Sequence, residues 1–243
     1  VPGYGLLVHQ SLDDMLAGGG DRDVFGAGNK HHPADFVLWK FSKPGEPAWP
    51  SPWGEGRPGW HSECVVMSLD LLGEGFDLHC GGQDLKFPHH ENERAQAEGA
   101  GHAFARHWIH SAMVQVGGEK MSKSLGNFTT LGELLDNYDP RALRLLVLQT
   151  HYRKTMEING PALDQALRAL ERLDALARRL PTVDADVEPD ADTLHAFAHE
   201  VDDDLATPSG VAVIFETNPS LEMSGLIAAA VWIQKSPFGS TGS

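Results

Sequence analysis

An imidazole and a carboxylate four residues apart share one face of a helix and can hold a metal ion together. His89 and Glu93, in FPHHENERAQAE, have that spacing just past Pro88, a residue suited to a first helical turn. With a thiolate brought from elsewhere they would complete a His/Glu/Cys zinc set. Cys64, in GWHSEC, is the natural donor. A second reading stands beside this one: a solvated helix start, with Glu91 and Glu93 favourable at the positive end of the dipole. By the same logic His61 and His90 read as packing residues or as neighbours of ligands.

Two further stretches carry chemical residue types. HCGGQDL sets Gly81, Gly82 and Asp84 after a short strand. Glycines there let a ligand approach the backbone and an acid can hold ribose hydroxyls, although a tight strand-to-helix turn has the same composition. GGEKMSKSLGN places Lys120 and Lys123 in a glycine-flanked loop. It lacks P-loop spacing. Its lysines could still clamp a polyphosphate while charge grows on a leaving group, or simply be solvated.

The elements that must position these residues follow from pattern. Residues 1 to about 35 are Gly-rich and read as loop around a short helix at Ser11–Leu16. DFVLWKF alternates like a strand or closes a helix. SKPGEPAWPSPWGEGRPGW, with five prolines and four glycines, excludes a regular element; its three tryptophans favour a loop laid over a site. HSECVVMSLDLL is helical and stops at Gly73, FDLH is a short strand, a helix runs from Pro88 to about Glu98, and HWIHSAMVQV is a buried strand. Strand, Gly-rich turn, helix and strand make an α/β fold. Beyond KMSKSLGN the pattern is a helical bundle. One helix is capped by Asp139-Pro140 and runs through Leu143, Leu146 and Val147. A second starts at Pro161 with Leu163, Leu167, Leu170, Leu173, Leu176 and Leu180, and a third covers Thr193 to Leu205.

The chain has 243 residues and a net charge of −15. Nine of its acids lie between Val183 and Asp204, where there is no Lys or Arg, so the rest is only mildly acidic and an anionic partner is neither favoured nor excluded. Cys64 and Cys80 cannot build a disulfide framework. VPGYGLLVHQ is not a signal peptide, and LIAAAVWI is far short of a membrane span. The expectation is a reduced, cytoplasmic protein with no membrane partner.

KMSKS, Lys120 to Ser124, is the second signature of class I aminoacyl-tRNA synthetases. FVLWKFSKPGEPAWPSPWGEGRPGWHSEC, HCGGQDLKFPHHENERAQ and KMSKSLGNF together resemble cysteinyl-tRNA synthetase, from about Tyr4 to Phe215. The resemblance implies the second half of a Rossmann-like class I catalytic domain followed by a helical bundle region. Its expected divisions are 1–50, the end of a connective insertion; 51–116, the second half of the catalytic domain; 117–160, the KMSKS loop and stem-contact region; 161–216, the bundle; and 217–243, a tail that leaves the family. It implies cysteine–tRNA ligation with ATP and Mg2+: cysteine is activated to cysteinyl-adenylate and passed to the 3′ end of tRNA(Cys).

In that family zinc is held by two cysteines, a histidine and a glutamate, and Cys64, His89 and Glu93 fall on three of these positions. The ion binds the thiol of the substrate. Serine differs by one atom, which a pocket working by size rejects weakly, whereas an ion already ligated by sulfur prefers a soft thiolate. Trp60 and His79 match residues lining this pocket, Gly81, Gly82 and Asp84 match the ATP-ribose turn, and Lys120 and Lys123 match the catalytic lysines, the second facing pyrophosphate.

Departures accompany the match. Cys80 stands where the family has glycine and reads as a small buried residue or a rival ligand, and Ala112 replaces a common glycine. The HIGH motif and the first zinc cysteine are not found, so the chain reads as a partial synthetase that is inactive alone. Two rivals remain at this stage: the related ligase joining cysteine to an amino-sugar inositol in mycothiol synthesis, and a non-catalytic fragment that binds RNA or a partner.

Overall fold

The computed structural model describes residues 1, 3–11, 14, 30–32, 34–116, 119–120, 130–179 and 190–216. It separates into two compact units, Val1–Ser111 and Ala112–Ser243. Most of the helix expected at Ser11–Leu16 lies outside the described residues, as do Lys123, Leu180 and the tail from Thr217.

In the first unit, strand β1 (Trp39–Phe41) pairs antiparallel with β2 (Gly56–Pro58). The proline-rich stretch therefore does contain a short strand, placed at its end where only Pro58 interrupts the donors. Helix α1 (Trp60–Leu72) stops where expected, at Gly73, whose φ of 80° suits a residue without Cβ and whose N–H returns to the Leu69 carbonyl. Strand β3 (Leu78–Gly82) takes in both glycines and pairs parallel with β4 (His107–Ser111). Between them the chain turns through Lys86–His90, with Phe87 extended, and enters α2 (Glu91–Gly99). The helix proper begins three residues later than Pro88, yet His90 is already helical, so the four-residue pairing of His89 with Glu93 survives. Val65, Phe76, Ala97 and Phe104 form the apolar core between α1, α2 and the strands.

The expected single strand over HWIHSAMVQV is two half-buried strands. It breaks at Ala112, whose N–H bonds the Tyr152 carbonyl rather than continuing the β3 ladder. In the second unit, β5 (Val114–Val116) pairs antiparallel with β6 (Glu119–Lys120) and parallel with β7 (Met156–Glu157). Helix α3 (Leu131–Leu135) opens with a reciprocal Thr130–Glu133 capping box. Asp139 caps α4 (Pro140–Leu148) by accepting from the Arg141 N–H. The α4 face turned inward is Ala142, Leu145 and Leu146, while Val147 points outward. Helix α5 (Gly160–Arg179) contributes Leu163, Ala166 and Leu170 to that core. Helix α6 (Ala191–Asp202) ends before Leu205. It is followed by α7 (Thr207–Glu216), which lies inside the bundle expected over 161–216 although the pattern singled out no helix there. Pro208 sits in the first turn, where its missing N–H costs nothing, and Gly210 lets α7 approach Phe197 and Val201 of α6.

At the α6–α7 turn, Asp204 accepts from the Tyr152 hydroxyl at 2.6 Å and from two guanidinium nitrogens of Arg153 at 2.6 and 2.8 Å. The Arg153 and Tyr152 donors hold its carboxyl well below the usual carboxylate range.

Leu163→Ala, opening a hole in the α4–α5 core, should cost about 2–5 kcal/mol, read by chemical denaturation. Asp204→Asn should lower the melting temperature at neutral pH. Because folding depresses the Asp204 pKa, its contribution is complete above about pH 4 and is lost as acid protonates it. The gap between wild type and Asp204→Asn should therefore close progressively below that pH, and a gap that persists in strong acid would assign the loss to something other than this ion pair.

Candidate metal centre

Three elements of the first unit converge on one carboxylate. Helix α1 supplies Trp60, His61 and Cys64, β3 supplies His79, and the Lys86–His90 turn with α2 supplies His89, His90, Asn92 and Glu93. Ligand atoms of Cys64, His89 and Glu93 lie within 4.8 Å of one another, and so do those of His79, His90 and Glu93. Glu93 is the shared member. It has no solvent exposure, as has Glu91, and His89, His90 and Asn92 are buried with them. The reading of this stretch as a solvated helix start is therefore overturned. ENERAQA is polar in sequence, but it is the buried face of this unit.

The Glu93 oxygens stand 2.6 Å from His89 Nε2 and 2.8 Å from His79 Nε2. Neither contact has hydrogen-bond alignment, so both oxygens are buried without a donor pointed at them. Burial alone would push the Glu93 pKa up, but the nearby His79, His89 and His90 outweigh it and the net shift is downward. Burial also lowers the pKa of His89, and those of His61 and His90 fall to about 4, so these rings are neutral at neutral pH. Burial, then the Glu93 charge, push the Cys64 thiol up to about 11. A buried carboxylate without an aligned donor, neutral imidazoles and a thiol form a donor set of the kind that zinc takes, and the residues present fit such an ion.

The sheet explains how the imidazoles reach the site. His79 and Gly81 pair in register with Trp108 and His110, and alternation puts all four on one face of the β3–β4 pair. His90 lies against that face, 2.9 Å from His110 Nε2 through its Nδ1. A Cβ on Gly81 would stand 2.6 Å from the His90 ring, so this glycine is required by an imidazole of the same chain. Cys80 points to the other face and is exposed, contrary to the expectation of a buried residue, and it belongs to neither ligand group among the described residues. Trp60 stacks on His89 with ring centroids 4.0 Å apart. Gly82 ends β3, and Asp84 is exposed in the turn after it. Lys120 belongs to the second unit, its backbone on β6 opposite Gln115, and Lys123 lies outside the described residues.

His61 and His90, read from the sequence as packing residues or neighbours of ligands, lie 2.6 Å from His89 Nδ1 and against the β3–β4 face respectively. His61 and Cys64 are three apart on α1, a spacing that puts them on one side of the helix. No spacing signals His90, which depends on the absence of a side chain at Gly81.

The fold is that of the catalytic domain of class I synthetases. The chain belongs to the family described as tRNA synthetases class I (C) catalytic domain, whose model matches residues 1–168. It is 47% identical over 235 residues to a cysteine–tRNA ligase of Aromatoleum aromaticum, covering 95% of this chain and 50% of that protein. To the cysteine–tRNA ligase of a Picosynechococcus species it is 51% identical over 225 residues, covering 90% and 48%. The chain thus spans about half the length of the curated relatives it matches. Among solved structures, a leucyl-tRNA synthetase of Agrobacterium radiobacter K84, crystallised with tRNA and LeuAMS, shares the fold. Its TM-score is 0.53 at 16% identity, with 75% of this chain and 31% of that one covered. No helix among the described residues is long and apolar enough to cross a membrane.

Replacing Glu93 by Gln keeps the volume and removes the charge. The zinc retained after dialysis, counted by mass spectrometry, should fall sharply. Full retention with a stability loss of only about 0.3–1 kcal/mol would mean that the carboxylate serves the helix dipole instead.

Proposed function

We propose that this chain is the zinc-bearing part of a cysteine–tRNA ligase. The enzyme would activate cysteine with ATP and Mg2+ to cysteinyl-adenylate and transfer it to the 3′ end of tRNA(Cys). The convergence of Cys64, His89 and Glu93 around one buried carboxylate carries this reading, in a chain of that family. Zinc bound there would supply a Lewis-acidic centre that favours a thiolate over a hydroxyl.

The chain's own residues do the rest. Cys64, His89 and Glu93 hold the ion, and Trp60, stacked over His89, shields that ring from water on one side. His79, beside Glu93, lines the pocket that receives the amino acid. Gly81 and Gly82 at the end of β3, with Asp84 in the turn after it, would accept the ATP ribose. Lys120 and Lys123 would neutralise the charge that develops on pyrophosphate as it leaves. The cytoplasm is the compartment in which this chemistry and two free thiols belong together.

Substituting Co2+ for zinc tests the reading on this chain directly. Cysteine should strengthen the thiolate-to-cobalt absorption and serine should leave it unchanged. Equal responses, or none, would remove the basis for thiol selection. In the full-length ligase, Lys123→Ala should slow ATP–pyrophosphate exchange by roughly 100- to 1,000-fold and leave cysteine affinity nearly unchanged, the pattern expected when a group acts on the transition state. Lost cysteine affinity with exchange preserved would place Lys123 elsewhere.

A further inference from the structure

Glu93 has two carboxylate oxygens, and they face different groups. Oε1 stands 2.6 Å from His89 Nε2, in the group with Cys64, whereas Oε2 stands 2.8 Å from His79 Nε2, in the group with His90. Both oxygens are buried and neither has an aligned donor. An ion held by Cys64, His89 and Oε1 satisfies one of them and leaves the other as it is. The two groups share only Glu93 and differ in kind: one contains sulfur, the other is two imidazoles and a carboxylate.

His79 and His90 are also held as ligands are held. The β3–β4 register places His79, and the room over Gly81 places His90, so that their ring centroids are 4.6 Å apart. His110, 2.9 Å from His90, is the kind of outer partner that keeps a ligating imidazole in orientation. The Cys64 group uses neither His90 nor His110.

We propose that His79, His90 and Glu93 Oε2 form a second cation position, bridged through Glu93 to the one at Cys64, His89 and Glu93 Oε1. The inference goes beyond the ligase reading and rests on it only for the ion at Cys64. Two histidines and a carboxylate, without sulfur, suit a divalent transition-metal ion such as Ni2+ or Zn2+, with the remaining coordination filled by water. The second position is the weaker one. It has no anionic donor beyond the shared carboxylate, and an ion there is repelled by the ion across the bridge.

The test is a Co2+ titration of the whole chain, read by absorption and by metal bound at equilibrium dialysis. Wild type should take up two ions, of which only one carries thiolate-to-cobalt absorption. Cys64→Ala should abolish that absorption and still bind one ion with the visible bands of nitrogen and oxygen ligation. His79→Gln, at a half-buried position, should lose one ion and keep the thiolate absorption, and His90→Asn should do the same. A wild type that binds one ion only overturns the second position and leaves the ligase reading intact. So does a second ion that survives both histidine substitutions, which is then held by surface imidazoles. Absence of thiolate absorption in wild type overturns the ion at Cys64 instead, and the loss of an ion in His79→Gln still supports the second position.

Discussion

A carboxylate withdrawn from water costs several kcal/mol unless compensating charge or donors surround it. Glu93 is withdrawn completely, and much of the first unit can be understood as the arrangement that makes this tolerable. Three secondary-structure elements bring imidazoles or a thiol to its two oxygens. None of these groups satisfies the carboxylate by itself, because the contacts from His79 and His89 are close without being aligned. The compensation is incomplete among protein groups, which is the condition under which a cation is the better partner.

The same constraint shapes the neighbouring backbone. Helix α2 presents Glu91, Asn92 and Glu93 inward, so its buried surface is hydrogen-bonded as well as packed. Residues near the N-terminus supply that bonding. The Leu7 N–H donates to Glu91, and Arg94 ties Glu91 to the Gly3 carbonyl. On its other side the helix region rests on β3 and β4 through His90, where Gly81 makes room. Polar burial of this extent gives one register for α2 against its surroundings, since a slip of one residue would leave several polar groups unmatched.

Much of this was legible in the sequence, for identifiable reasons. The four-residue spacing of His89 and Glu93, the stop at Gly73, the cap at Asp139 and the leucine steps from Leu163 to Leu173 are local rules, and the structure follows them. The break at Ala112 was not legible, because it depends on which carbonyl a distant Tyr152 offers. Helix α7 carries Pro208 and Gly210, residues that break helices in other settings but fit here, in a first turn and against a neighbouring helix. The burial of ENERAQA contradicts its composition. Only the contacts of Tyr4, Leu7 and His61, far away in sequence, make that helix an interior element.

The exposed position of Cys80 makes the two thiols of this chain chemically unequal. Cys64 is half-buried beside a negative charge that disfavours its thiolate, whereas Cys80 stands open on the opposite face of β3 from His79. Alkylating reagents and disulfide probes therefore meet Cys80 first, and a thiol titration stopped at one equivalent reports on the sheet surface rather than on Cys64. That selectivity offers a labelling point: a fluorophore or spin label coupled at Cys80 sits one residue from His79 along the chain, yet across the sheet from the imidazole cluster.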